Sequence, residues 1–260
     1  MRPWVLAETN YADLKDRRVE VAVWPFGAIE PHNLHLPYGT DCLEAQSIAE
    51  HVCQEAYRRG ASIILLPTMP FGTETNLQRF PLALNVMPST LFLVIRDVVQ
   101  SLVNSGIRKI VLLNSHGGND FKPVLRELYG QTPAWLFLCN WYEAVRRHAA
   151  SLFSHSDDHA GEMETSLALA FFPQLVARDA AGNLLADEGR VARYRFRALD
   201  EGWVTITRPW HILTTNTGSG NPLHASAEKG RSLMQIIVEN LAQFLVELSD
   251  ASLDERFPFI

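Results

Sequence analysis

Four short stretches of the chain, residues 20–26, 61–67, 108–113 and 134–141, are dominated by apolar side chains and show no regular alternation with polar ones. Runs of that length and composition mark strands covered on both faces. Helical stretches separate them. Residues 43–59 have helix-forming composition and stop at Gly60. Residues 89–104 read as an amphipathic helix with Ser89 as N-cap and Gly106 beyond its end. Residues 120–129 form a shorter helix, in which Pro123 sets the start near Asp120 or Phe121. Another begins near Gly161 and runs to Phe172, where Pro173 ends it, and the last spans His224 or Ala225 to Leu248. Strands alternating with helices predict an α/β three-layer sandwich, its central sheet mainly parallel and flanked by helices. Residues 1–260 read as one domain, with 178–222 as an irregular insertion carrying a few short strands, a lid or an interface.

Composition narrows the picture. The chain has 260 residues, 47% of them hydrophobic, enough for a substantial core. A net charge of -6 without basic clusters argues against nucleic acid or an anionic membrane as partner. No apolar run approaches the ~20 residues of a membrane helix, and the N-terminus lacks a signal-peptide core. Cys42, Cys53 and Cys139 are odd in number and have no zinc-finger spacing, so they read as free thiols of a cytoplasmic protein. Arg108 and Lys109, at a strand start, and the arginines at 190, 193, 195 and 197 read as solvated.

In parallel sheets the loops beyond the strand C-termini carry the site. The first such loop concentrates Glu30, His32, His35 and Asp41. Glu30 and His32 lie two apart, so in extended chain both point the same way. Asp41 follows a turn and precedes a helix, where it can hold two cations close together. His35 falls out of phase and fits a structural hydrogen-bonding role. A second loop, 114–119, holds His116 between a strand end and two glycines. A third stretch, 157–166, brings His159 before a helix on which Glu164 shares a stripe with Leu167, Ala168 and Phe171. A carboxylate on that stripe needs a cation or a partner. Glu162 falls on a more polar side and suits the helix dipole. Imidazole and carboxylate together suit zinc, manganese or iron. Residues 216–221 lack the lysine of a phosphate loop and read as a segment near the site or an interface.

Taken together these motifs resemble the creatininase (creatinine amidohydrolase) family. Its Gly-x-x-Glu-x-His-x-x-His-Leu-Pro-x-Gly-x-Asp loop, Asn-x-His-x-x-Asn loop and His-Ala-Gly-x-x-Glu-Thr-Ser helix start recur here, in order, at 27–41, 114–119 and 159–166. The resemblance implies a metal-dependent hydrolase with two adjacent divalent cations and a homo-oligomer, often a hexamer. It implies Glu30, His32, Asp41 and His116 as ligands, with Asp41 bridging, and His159 as catalytic acid/base. Glu164 matches a glutamate that either partners this histidine or coordinates a cation, and Glu164 or Asp158 is placed to orient His159. Three positions depart from the pattern. Gly118 stands where creatininase has a glutamate ligand, Asn33 where the family has glycine, and the loop 71–88 offers Glu74, Asn76, Gln78 and Arg79 as substrate-binding groups in place of the usual residues.

The expected reaction is attack of metal-activated hydroxide on a small cyclic substrate of the cyclic amide type. Two dications set against Glu30, Asp41 and Glu164 leave one positive charge to favour that nucleophile. The alternative is carbon–carbon cleavage in an oxidised inositol (inosose-type diketone) ring, which the polar group of the 71–88 loop suits, as do Trp141 and Trp210, residues otherwise expected in the core. A non-catalytic metal-binding protein is a third reading. Structural zinc sites usually close with cysteine or histidine, and this set is carboxylate-rich.

Overall fold

The computed structural model describes every residue except Met1 and 156–158. Four strands, β1 (Val21–Phe26), β2 (Ile63–Leu65), β3 (Lys109–Asn114) and β4 (Trp135–Asn140), pair in parallel in the order β2-β1-β3-β4. The apolar runs fold this way because each strand has two faces to cover. Val21, Val23, Val111 and Leu113 enter one core with the helices α1 (Thr40–Arg58), α4 (Glu162–Phe171) and α5 (Ala227–Asp250). Ala22, Trp24, Phe26, Ile110 and Leu112 enter the other, with α2 (Pro88–Asn104) and α3 (Lys122–Leu128). The result is the three-layer sandwich that the apolar pattern predicts.

Several boundaries differ from expectation for local reasons. Helix α2 begins at Pro88, whose fixed φ suits a first helical position, so Ser89 lies inside and Met87 takes the cap position. Helix α1 starts at Thr40, which puts Asp41 in its first turn. Helix α5 starts after Ser226, whose side chain accepts from the Lys229 amide. Lys109 is not solvated: it is buried, and its ammonium donates to the carbonyls of Leu248 (2.9 Å) and Ser249 (3.1 Å), closing the end of α5 onto the sheet. The three cysteines are free. No described helix is long and apolar enough to cross a membrane.

The segment 178–222 contains short helical turns and isolated backbone bridges in place of the expected short strands. It lies against the strand C-termini. Its Ser219 exchanges two backbone hydrogen bonds with His159, at 2.8 and 3.0 Å. Thr217 Oγ1 accepts from the Asn33 amide at 2.9 Å, and Asn216 donates to the Asn33 side chain at 3.1 Å. The loop 216–221 is thus a brace for two of the motifs. Asn33 has φ +54°, a left-handed conformation that glycine and asparagine tolerate best, which accounts for asparagine where the resemblance leads one to expect glycine.

Candidate metal centre

The close approach of two backbones brings the first motif to the sheet edge. After β1 the chain turns at Gly27, where a Cβ would stand 2.6 Å from the Cys42 backbone. Only glycine lets the start of α1 lie that near, and Asp41 is carried into the site with it. Asp41 then faces two imidazoles at once. Its Oδ1 is 3.3 Å from His32 Nε2 and its Oδ2 is 2.9 Å from His116 Nδ1. Glu30 Oε1 lies 3.1 Å from the same His116 nitrogen. The 114–119 loop is held rigid by its own asparagines: Asn114 donates to the His116 carbonyl at 2.8 Å, and Asn119 donates to Asn114 Oδ1 at 3.1 Å.

Three clusters of donor atoms result, each compact enough for one cation: Glu30 with His32 and His159, Glu30 with Glu74 and His116, and His32 with Asp41 and Glu164. Glu164 also caps its own helix, its Oε2 accepting from the Ala160 amide. Glu162 is the more buried of the two glutamates, the reverse of the stripe argument. Lys229 of α5 reaches it and Ser154 donates a backbone hydrogen bond at 2.8 Å, so its charge is answered away from the site. His35 is buried and shares a 2.8 Å hydrogen bond with Thr165 Oγ1, and burial beside His32 pushes it down to about 4. It is structural.

Among the described residues, Glu30 Oε2, Asp41 Oδ2, Glu44 Oε1 and both Glu74 oxygens are buried without a hydrogen-bond partner. Carboxylates converging in that state are very costly unless cations neutralise them, and the mixed imidazole–carboxylate donor set suits divalent ions. The protonation pattern says the same. Burial opposes charge on His32, yet Asp41 and Glu30 outweigh it and hold it up to about 10. His116 is likewise raised against its burial by Glu30 and Asp41. Burial pushes Glu30 well above the usual carboxylate range, and Glu74 adds to that. Without metal the site recruits protons for the positive charge it lacks.

Glu44 escaped the sequence reading. It sits one turn after Asp41 on α1, buried, with Ser115 Oγ 3.5 Å away. Burial, then Glu164 and Asp41, raise it well above the carboxylate range. A helix-wheel comparison of Glu44 with Asp41 would have found it.

His159 is packed between His32, with ring centroids 4.1 Å apart, and the edge of Trp210, at 4.9 Å. Its Nε2 is 2.9 Å from the Pro31 carbonyl, and its Nδ1 is 3.7 Å from Glu30 Oε1. Burial and the neighbouring His32 push it well below the usual histidine range, so the ring is neutral. Nε2 therefore carries the proton and Nδ1 presents a lone pair to the site. Asp158, expected as an orienting group, lies outside the described residues.

A cavity of about 120 Å³ opens beside these groups, lined by Glu74, Asn76, Gly118, His159, Arg208 and Trp210 among others. Gln78 and Arg79 are exposed and absent from that lining. Arg208, which stacks 5.1 Å over the Trp210 ring, had no signal in the sequence because the segment that carries it has no periodic pattern. Trp141 packs beneath the 114–119 loop, donating to Ser115 Oγ at 2.9 Å.

A parallel sheet that gathers acidic and imidazole side chains at its C-terminal edge, around a small cavity, defines a metal-dependent hydrolase. Residues 7–245 match the creatininase family, described as creatinine amidohydrolase, and the chain belongs to it. A crystal structure from Bacteroides fragilis NCTC 9343 described as a creatinine amidohydrolase is 34% identical, with a TM-score of 0.87 over 98% of this chain and 100% of that one. The creatinine amidohydrolase of Pseudomonas putida is 24% identical over 247 residues, 87% of this chain and 89% of the relative. The 3-dehydro-scyllo-inosose hydrolase of Thermotoga maritima is 25% identical over 266 residues, 93% of this chain and 80% of the relative.

Proposed function

We propose that this hydrolase opens a small ring at a carbonyl, with a cyclic amide as the first class of substrate. The observation that carries the reading is the neutral His159, whose Nδ1 faces Glu30 while its Nε2 is engaged by the Pro31 carbonyl. Glu30, Asp41 and His116 would hold one divalent cation, and His32, Asp41 and Glu164 a second, with the two Asp41 oxygens turned to the two halves. When bound, such cations polarise a carbonyl and bring the pKa of water to about 7. His159 Nδ1 accepts a proton from the attacking water and returns it to the leaving atom as the ring opens. Trp210 and His32 keep the imidazole in one plane during that exchange. Asn76 and Arg208 form the polar wall for the substrate.

The leaving atom defines the second reading. A ring nitrogen takes the proton in a cyclic amide. A carbon takes it in an inosose-type diketone, and the guanidinium of Arg208 in the cavity wall suits the oxygens of such a ring. Turnover of a lactam and cyclic-imide panel against an inosose-diketone panel, with zinc, manganese or iron supplied, decides between them. Hydrolysis of neither class by metal-loaded protein would remove both and leave the non-catalytic metal-binding reading.

A further inference from the structure

We propose that Glu74 is a positioning residue of the metal centre, its carboxylate holding the His116 ring so that Nδ1 faces the cation shared with Glu30 and Asp41. The proposal rests on the two-cation reading of the site.

The geometry of the imidazole carries it. Nδ1 is turned to Glu30 and Asp41, at 3.1 and 2.9 Å. On the far side of the ring, Nε2 has two acceptors in front of it: the Thr73 carbonyl at 3.2 Å and Glu74 Oε1 at 2.9 Å. Both nitrogens face acceptors, so a cation taken up on the Glu30 and Asp41 side would displace the proton at Nδ1 and leave the one at Nε2, opposite Thr73 and Glu74, in place. His32 is backed differently. Its Nδ1 meets the neutral Glu30 carbonyl at 3.0 Å. The two imidazoles of the centre are therefore unequal. A carboxylate behind a ligating histidine fixes its tautomer and makes it a better donor to metal.

Apart from sharing a cation with Glu30 and His116, Glu74 has little else to do in its place. It is 1% exposed, neither oxygen has a hydrogen-bond partner among the described residues, and His116 Nε2 lies 2.9 Å from Oε1. A buried carboxyl group needs a polar or positive neighbour, and the Nε2 edge of His116 stands opposite it. Its backbone is fixed on both sides. The Glu74 amide donates to Asn85 Oδ1 at 2.7 Å, and the Thr73 amide donates to Asn119 Oδ1 at 3.0 Å. Gly118 completes the arrangement. A Cβ there would overlap both His116 Nε2 and the Thr73 carbonyl, so the ring adopts this orientation only because position 118 has no side chain. The missing side chain at Gly118 and the carboxylate of Glu74 are two parts of one device.

The test is a metal titration, with no substrate required. Wild-type protein, E74Q and E74D are stripped with chelator and titrated with Mn²⁺ and Zn²⁺ in competition calorimetry. Stoichiometry is read by native mass spectrometry and the His116 tautomer by ¹⁵N NMR. E74Q is expected to bind one of the two ions roughly 10–100-fold more weakly, the range for lost outer partners of metal ligands. E74D, which keeps the charge, is expected to fall between E74Q and wild type. Wild type with two ions and E74Q with unchanged affinities and tautomer would overturn the proposal and return Glu74 to the substrate wall. E74D no better than E74Q would overturn the role of charge. Should E74Q not fold, G118A tests the same orientation, and full metal affinity in that variant counts against it. Wild type that takes up no pair of ions sinks the two-cation reading instead.

Discussion

At the scale of single residues, the site separates two kinds of histidine by what faces each nitrogen. His32 and His116 hold a nitrogen within 3.3 Å of a carboxylate and are raised, whereas His159, 3.7 Å from Glu30 and packed against an imidazole and an indole, is lowered and neutral. The first two are suited to cations and the third to proton transfer. Replacing His159 by alanine is therefore expected to leave metal content intact, by mass spectrometry, while turnover falls about 10²–10⁴-fold, the usual contribution of a general acid–base group. Unchanged turnover at full metal content would remove the assignment. The structure also alters the charge count. Glu74 joins Glu30, Asp41 and Glu164 among the carboxylates that would surround a pair of cations, and burial and its neighbours raise Glu44 well above the carboxylate range in the metal-free protein. Two dications would then meet four carboxylates in place of three, and the positive surplus expected from sequence would be gone. On the proposed mechanism, what would remain to drive the reaction is the placing of the charges, with His159 as the mobile proton carrier.

At the scale of elements, the arrangement depends on how closely α5 lies on α4. Gly230 sits where a Cβ would overlap the Ser166 carbonyl, and the next-door Lys229 reaches Glu162. Gly230→Ala forces the two helices apart and is expected to cost roughly 1–3 kcal/mol, the range for overpacked cores, seen as a lower melting temperature with and without metal. An unchanged melting temperature would mean that the helices slide apart freely. Which elements could be read beforehand follows from where their information lies. The strands were legible because both faces of each are apolar, as Val21 and Val23 against Ala22 and Trp24 demonstrate. The ligand loops were legible because Glu30, His32 and Asp41 lie close in sequence. Glu44, one turn after Asp41 on α1, carried a signal in the helix face, whereas Arg208 carried none, since only tertiary packing brings it over Trp210. The relative burial of Glu162 and Glu164 was misread for the same reason: Lys229 comes from a helix more than 60 residues on.

For the whole molecule, protons and cations compete for one set of ligands, and stability should report that competition. In the metal-free protein His32 titrates near 10, against about 6.5 in an unfolded chain, so its stabilising ion pairs are fully present below about pH 6.5 and are lost as pH rises towards 10. His116 acts in the same direction. Glu30 and Glu44 hold protons that the unfolded chain gives up near pH 4.5, so each of them also costs stability as pH rises. His35, depressed to about 4, and His159 work the other way, penalising the folded state only below about pH 6.5. The metal-free protein is therefore expected to be most stable in the mildly acidic range, between about pH 4.5 and 6.5, and to lose stability steadily as pH rises beyond it. A bound pair of dications supplies the same positive charge without titrating, and binding must expel the protons, so affinity rises with pH. The melting temperature of metal-loaded protein should accordingly pull away from that of chelator-treated protein between pH 6 and 9, with proton release on binding visible as a buffer-dependent heat in calorimetry. A gap that stays constant across that range would mean that the cations and the protons occupy different groups, and the ligand set built on His32 and His116 would have to be abandoned.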